Sequence, residues 1–355
     1  MQKIDEEWVE AAVLGGAILG GGGGGSLEEG RRLGRLALER GRPIILDIDR
    51  LPDDSLILTV SVVGAPSMDQ NPVLSCYVKS VRMMMDHLSG IGGLMTNELG
   101  GLAVVNGLVQ SAILEIPLVD AACNGRAHPT GAMGSMGLSM DDNFVSHQAA
   151  VGGLGEDGGY IEIYVKGSLP AVSKVVRKVA EEAGGTVAVA RNPVPTKYVR
   201  DNAAVGALSQ AVRIGRAYLE RRTGEERADK VVEALNGTVI VRGRVDFVEL
   251  TSRGGFDLGE VSVGDHKLTF WNEYMTLEQA GERLATFPDL VMTMEAQSGR
   301  PITTAEIRQD QEVIVIMIPR ENLNLGAGMK DPRLFRGVEE AMGMEIVKYV
   351  FPEER

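Results

Sequence analysis

Two cysteines, Cys76 and Cys123, are the whole thiol complement of 355 residues. That number excludes a disulfide framework and is what a reducing compartment permits. Phe, Trp and Tyr together make up only 5% of the chain, so its core must be mainly aliphatic, with sixteen methionines as gap-fillers. Basic residues are outnumbered, 36 Lys and Arg against 49 Asp and Glu, giving a formal net charge of −13. No extended nucleic-acid-binding face fits that balance, and the locally basic VSKVVRKVAEEAGG reads as the solvated side of a helix. The N-terminal MQKIDEEWVE has acids where a signal peptide needs a basic start. No apolar run reaches the roughly 18 residues that a membrane span needs. The expectation is a cytoplasmic protein with a small-molecule substrate and neither a nucleic-acid nor a membrane partner. Homo-oligomerisation is the base-rate expectation for a symmetric enzyme.

What the chain does have is glycine, 45 residues of it, six in a row from Gly20 to Gly25. Glycine loses more conformational freedom on folding than any other residue, so an ordered run is costly. The run lies between two helices. Asp5 is a plausible N-cap for the first, with Trp8, Val9, Ala12 and Val13 on one face. Ser26 and Glu29 have capping-box spacing for the second, which Gly41 stops. Backbone N–H groups beside a helix start suit phosphate or carboxylate. The Lys and Ser/Thr of a P-loop are missing, and so is the strand that a dinucleotide fingerprint requires. A backbone wall against a polar site and a mobile connector are the other two readings.

Strands at 43–48 and 55–66 alternate with helices around 72–89 and 102–116, which predicts a three-layer, mostly parallel α/β domain over residues 1–166. Its binding loops belong beyond the carboxyl ends of those strands. The glycine-rich stretch 152–159 is the candidate boundary. Residues 167–355 then read as a β-rich α+β domain, with a long helix from about Thr196 to Arg222 and alternating strands from Gly237 onward. A final helix, Pro332–Met342, and a strand, Glu345–Phe351, are expected to return to the first domain.

Three stretches carry candidate chemistry. In TNELGG, Asn97 and Glu98 end a strand ahead of Gly100 and Gly101, and the carboxylate can be a base, a metal ligand, a partner for a substrate amide, or a helix cap. VDAACNGRAHP collects Asp120, Cys123, Asn124, Arg126 and His128 within nine residues. Asp120, Cys123 and His128 could bind a divalent metal such as zinc. Alternatively, Arg126 and His128 could activate Cys123 as a nucleophile, or Cys123 is inert and Arg126 pairs with Asp120. In WNEY, Asn272 and Glu273 stand at a turn or a site mouth, and Asp289 precedes another strand. His87, His147 and His266 read as surface or satisfied side chains.

Taken in order, GAILGGGGGG, VVGAP, NELGG, VDAACNGRAHP, RGGFDLGEV, WNEY and FPDLV resemble the S-methyl-thiohydantoin desulfurase domain family, from about Glu7 to the C-terminus. The resemblance implies a two-domain protein that hydrolyses a hydantoin-like ring at the carbon bearing a methylthio group. It marks Gly21, Gly22, Gly23, Gly24, Gly25, Glu98, Gly100, Gly101, Asp120, Gly125, Arg126, Pro129, Gly255, Phe256, Gly259, Asn272, Glu273, Pro288 and Asp289 as matching positions. The chain departs at the third motif: Ala122 and Cys123 stand for an acid and a glycine, His128 for an aromatic residue, and Thr130 for an acid. Glu98 or Asp120 would serve as base or metal ligand, with Arg126, His128 and the glycine N–H groups meeting negative charge. The competing reading is a non-enzymatic small-molecule or anion binder built on the glycine loop.

Overall fold

Asp5 opens the first helix by accepting a hydrogen bond from the Trp8 N–H at 3.0 Å. That helix, α1 (Glu6–Gly20), is buried from Trp8 nearly to its end. Small residues make this possible. A Cβ on Gly15 would lie 1.8 Å from the Ala211 carbonyl oxygen, and one on Gly215 would lie 1.8 Å from that of Ala11. The two helices therefore cross backbone to backbone. The computed structural model describes residues 4–64, 72–153, 159–253 and 256–353. Ala65 and Pro66 of VVGAP, the middle of the predicted 152–159 boundary, and Gly255 lie outside them.

After α1 come α2 (Leu27–Arg40), β1 (Ile45–Leu46), β2 (Leu56–Gly64), α3 (Leu74–His87), β3 (Ile91–Thr96), α4 (Leu108–Leu114) and β4 (Leu118–Ala122). The chain continues through β5 (Val145–Gly152), β6 (Ile161–Ser168), α5 (Leu169–Glu182), β7 (Thr186–Pro195), α6 (Thr196–Asn202), β8 (Ala204–Val205), α7 (Ala207–Leu219) and α8 (Gly224–Leu235). Strands β1 to β8 form one sheet, ordered β1-β4-β3-β2-β7-β5-β6, with β8 added to β4. The β1/β4/β3/β2 half is parallel; β7, β5, β6 and β8 pair antiparallel. The sheet is thus α/β but mixed, and it takes in strands on both sides of residue 166. Helices cover both faces. Leu58, Val60, Ala149, Ala188 and Ala190 pack with α1, α3 and α7, while Ala150, Val187 and Val189 meet Val176 of α5.

The second sheet is antiparallel throughout. It contains β9 (Thr238–Arg253), β10 (Phe256–Val263), β11 (His266–Trp271), β12 (Glu273–Gln279), β13 (Glu282–Thr286), β14 (Leu290–Glu295), β15 (Pro301–Ile302) and β16 (Glu312–Ile318). Strand β9 is long enough to serve twice, pairing with β16 up to Arg244 and with β10 from Val245.

Two predicted elements differ. The Thr196–Arg222 helix is interrupted: Gly206, at φ +78°, caps α7 after β8 has paired with β4. The final strand is instead a short helix, α10 (Val347–Val350), following α9 (Pro332–Met342). Phe335 and Val338 of α9 bury their apolar face against Trp271, Met275 and Phe287 of the second sheet, with Met133 as the contact to the first.

Candidate active site

The glycine run is the joint between the two sheets. The Gly21 oxygen accepts from the Tyr274 N–H at 2.9 Å, and the Gly22 oxygen from that of Thr304 at 3.0 Å; both donors belong to the second sheet region. The Gly24 oxygen accepts from Leu102 and Ala103 at 3.1 and 3.0 Å, on the first-sheet side. Gly21, Gly22, Gly24 and Gly25 all have positive φ, which L-residues other than Asn and Asp rarely adopt. Gly100 and Gly101 let this loop approach: a Cβ on Gly100 would lie 2.3 Å from the Gly24 Cα. The run ends at Ser26, whose hydroxyl accepts from the Glu29 N–H at 3.2 Å. The expected capping box is half formed, because the Glu29 carboxylate turns to Arg32 instead.

Strands β3 and β4 finish together, with Thr96 paired to Ala122, while β2 runs on past Val60, the partner of Thr96. Beyond their carboxyl ends a cavity of about 750 Å³ opens between the sheets. Its walls include Gly22 to Gly25, Asn97, Glu98, His128, Asn272 and Glu273 among the sequence candidates. Glu98 stands just past β3, and its Oε2 lies 2.8 Å from Nδ1 of His128. Glu273 opens β12 and is 3% exposed. Burial, and next the Glu98 charge, push its carboxyl well above the usual carboxylate range, against the pull of Arg126. Asn272 sits at φ +59° between β11 and β12, held by its side-chain oxygen accepting from the Asp257 N–H at 2.9 Å.

Other candidates stand behind this wall. Arg126 is fully buried, donates from Nη1 to the Pro288 and Asp289 carbonyl oxygens at 3.0 and 2.7 Å, and lies over the Phe287 ring. Burial lowers its guanidinium to about 10, opposed by Glu273 and Asp289. Its Nη2 faces Gly21, where a Cβ would lie 2.5 Å away. Asn124 ties Arg126 O and the Gly326 N–H together. The Asp289 carboxylate pairs with Arg320 at 2.9 Å.

The proposed metal set does not assemble. Asp120 accepts from the Ser209 N–H at 3.0 Å and from its hydroxyl, supplying the cap that Gly206 cannot give to α7. Cys123 faces Thr59, Sγ to Oγ1 3.3 Å, within the buried cluster of Ile57, Met95 and Val119. Burial pushes its thiol up to about 11, against the easing effect of Thr59 and Arg191, so it is no thiolate nucleophile at neutral pH. Adjacent strand positions project to opposite faces, which is why residues so close in sequence part. Among the described residues no group of three or more His, Cys, Asp or Glu could hold a metal ion. His147 meets the Tyr164 hydroxyl, His87 stacks on the same ring, and His266 lies beside Asp265.

Polar residues of the cavity that no local sequence signal singled out include Asn106, Gln148, Lys174 and Arg177. Arg191, on the same wall, does carry one, a lone charge in the apolar strand TVAVARNPVP. It pairs across to both Thr59 and Gln148, and so is carried to the cavity from a distant segment. Arg177 of α5 lies over Phe256 of β10, 4.8 Å from the ring centre, linking the two sheets across the cavity.

A protein from Chromobacterium violaceum, solved by X-ray crystallography, shares the fold, with a TM-score of 0.73 at 20% identity over 97% of each chain. No curated protein matches the chain. The N-terminal domain of the S-Me-THD-like family matches residues 7–153, and its C-terminal domain residues 168–327. With both domains present in order over nearly its whole length, the chain belongs to the S-Me-THD-like family.

Proposed function

We propose that the protein is a hydrolase of thiohydantoin-like or hydantoin-like rings, acting in the cavity between the two sheets. One observation carries the reading. Three buried acceptors on cavity residues, Asn106 Oδ1, Gln148 Oε1 and Glu273 Oε2, have no donor among the described residues. On the wall of the same cavity, the half-buried Gly24 and Gly25 carry N–H groups that meet no acceptor among the described residues. Burying unpaired polar atoms is costly, so a ligand that supplies the complement is favoured. A cyclic amide or thioamide does so, with N–H groups as donors and a ring oxygen as acceptor.

Glu98 and Glu273 then divide the proton work. As general base, Glu98 takes a proton from water as the water oxygen attacks the ring carbon bearing the methylthio group. The C=N electrons pass to the ring nitrogen, and glycine N–H groups face the developing charge. The C–S bond breaks as Glu273, held neutral by its burial, protonates the departing methylthiolate. The hydroxyl proton moves to the ring nitrogen, leaving a carbonyl and methanethiol. Proton return from Glu98 to Glu273 completes the cycle. Neither Asp120 nor Cys123 takes part.

The test is thiol release from S-methyl-thiohydantoins, followed colorimetrically. Turnover should fall by about 100-fold or more in Glu98→Gln and in Glu273→Gln. Release at wild-type rates by both variants refutes the assignment.

A further inference from the structure

We propose that strand β6 is a dimerisation edge, pairing antiparallel with β6 of a second copy of the chain about a twofold axis at Tyr164. β6 ends the first sheet, with β5 on one side and no strand on the other among the described residues. Such an edge presents a row of unpaired backbone N–H and C=O groups to any extended chain. The other edges are not open in this way. β1, β8 and β15 are each two residues long. β13 has five residues, its pairing with β12 shifts register, and its Arg283 donates to the Glu345 oxygen of the C-terminal segment at 3.2 Å. β6 has eight residues and pairs with β5 from Ile161 to Ser168 without a shift. Neither a bulge nor a proline interrupts it.

The strand's own sequence selects a second β6 as the occupant. Antiparallel pairing centred on Tyr164 sets Glu162 of each copy opposite Lys166 of the other, and both residues are exposed. Glu162 holds Lys79 of α3 at 3.4 Å and the Tyr160 hydroxyl at 2.7 Å, whereas Lys166 has no ion-pair partner among the described residues. Moving the axis one residue either way sets Glu162 opposite Tyr164 or Ser168, so the charges favour one register. Because the contact is isologous, each favourable pair occurs twice. A twofold axis normal to the sheet keeps like faces together, so α5 of both copies lies on one face of the extended sheet. On that face Ile163 and Val165 are only partly buried beside Val179, and Val175, one turn before Val179, is 45% exposed. These apolar side chains flank the paired strands and shield the new backbone hydrogen bonds from water.

The test weighs the full-length protein by sedimentation velocity over a concentration series, where a mass twice that of the chain, or an even multiple of it, is expected. Lys166→Glu replaces two opposite-charge pairs with two like-charge ones and should raise the dimer dissociation constant about 10-fold or more. Register is read by cross-linking. Both native thiols are buried, so in Tyr164→Cys a bifunctional thiol reagent should join two native chains through 164. The control is Phe247→Cys, on β9 of the second sheet, where the native side chain is 44% exposed; it should not cross-link. A monomeric wild type overturns the proposal. So does a dimer that Lys166→Glu leaves as tight, or one joined no faster through 164 than through 247. None of these readouts needs turnover, so the interface stands or falls independently of the reaction.

Discussion

Gly23 offers a sharp test of how the two sheets build the cavity. Unlike its neighbours it does not have a positive φ, so alanine there is not penalised by the backbone. The cost is spatial. A Cβ would lie 2.0 Å from Glu273 Oε1, 2.7 Å from Cδ and 2.8 Å from Cγ. Restoring an ordinary contact of about 3.4 Å means moving the carboxyl end by about 1.4 Å. Glu273 is 3% exposed and is faced by the charges of Arg126 and Glu98, so the shift cannot be a free rotation into solvent. Overpacking of this kind typically costs about 1–3 kcal/mol of stability. A misplacement of about 1 Å at a reacting group can cost on the order of 100-fold in rate. Gly23→Ala should therefore unfold at lower urea concentration and lose about 100-fold in kcat/KM. The control is Gly337→Ala, on α9, where a Cβ meets nothing within 4 Å. That substitution should be neutral or stabilising by up to about 1 kcal/mol, because alanine is the better helix former. If Gly23→Ala matches wild type in both assays, the packing of the glycine loop on Glu273 is wrong.

Three further outcomes follow from the site. Glu273 binds its proton more tightly folded than unfolded, so unfolding releases a proton above the ordinary carboxylate range. Its contribution is complete below that range and is lost as pH rises through the elevated folded value; Glu273→Gln should flatten this part of the stability–pH curve in urea titrations. Asp120→Ala should cost about 1 kcal/mol through the lost cap on α7, without changing the metal content of the purified protein, as measured by denaturation and elemental analysis. Cys76 and Cys123 are both buried, so a thiol reagent should label neither quickly in native protein and both after unfolding; rapid native labelling of Cys123 would contradict its burial beside Thr59.

Local chemistry was readable in advance wherever it acted over a few residues. Asp5 and Ser26 cap the helices that their spacing predicts, and the alternating strands after Gly237 form an antiparallel sheet. The order of motifs carried the family. That the glycine run was bounded by two helices also followed from local signals, which argued for an ordered loop over a linker. Only the tertiary structure decided what the loop lies against, since Tyr274 and Thr304 are more than 250 residues away. The dense cluster from Asp120 to His128 misled for a related reason. Proximity in sequence reads as proximity in space, yet strand alternation and a tight loop send Asp120 to α7, Cys123 to Thr59, Arg126 behind Glu273 and His128 to Glu98. The mixed sheet was illegible for its part because parallel and antiparallel pairing depend on how the chain reverses through β5 to β8, which residues within one strand do not encode. Sequence determined where α1 and α2 begin and the residue types available for chemistry, because these depend on neighbours within a turn or two. Which carboxylate meets which partner was decided by long-range packing alone, because the cavity forms only where two sheets, separately encoded, are pressed onto one run of glycines.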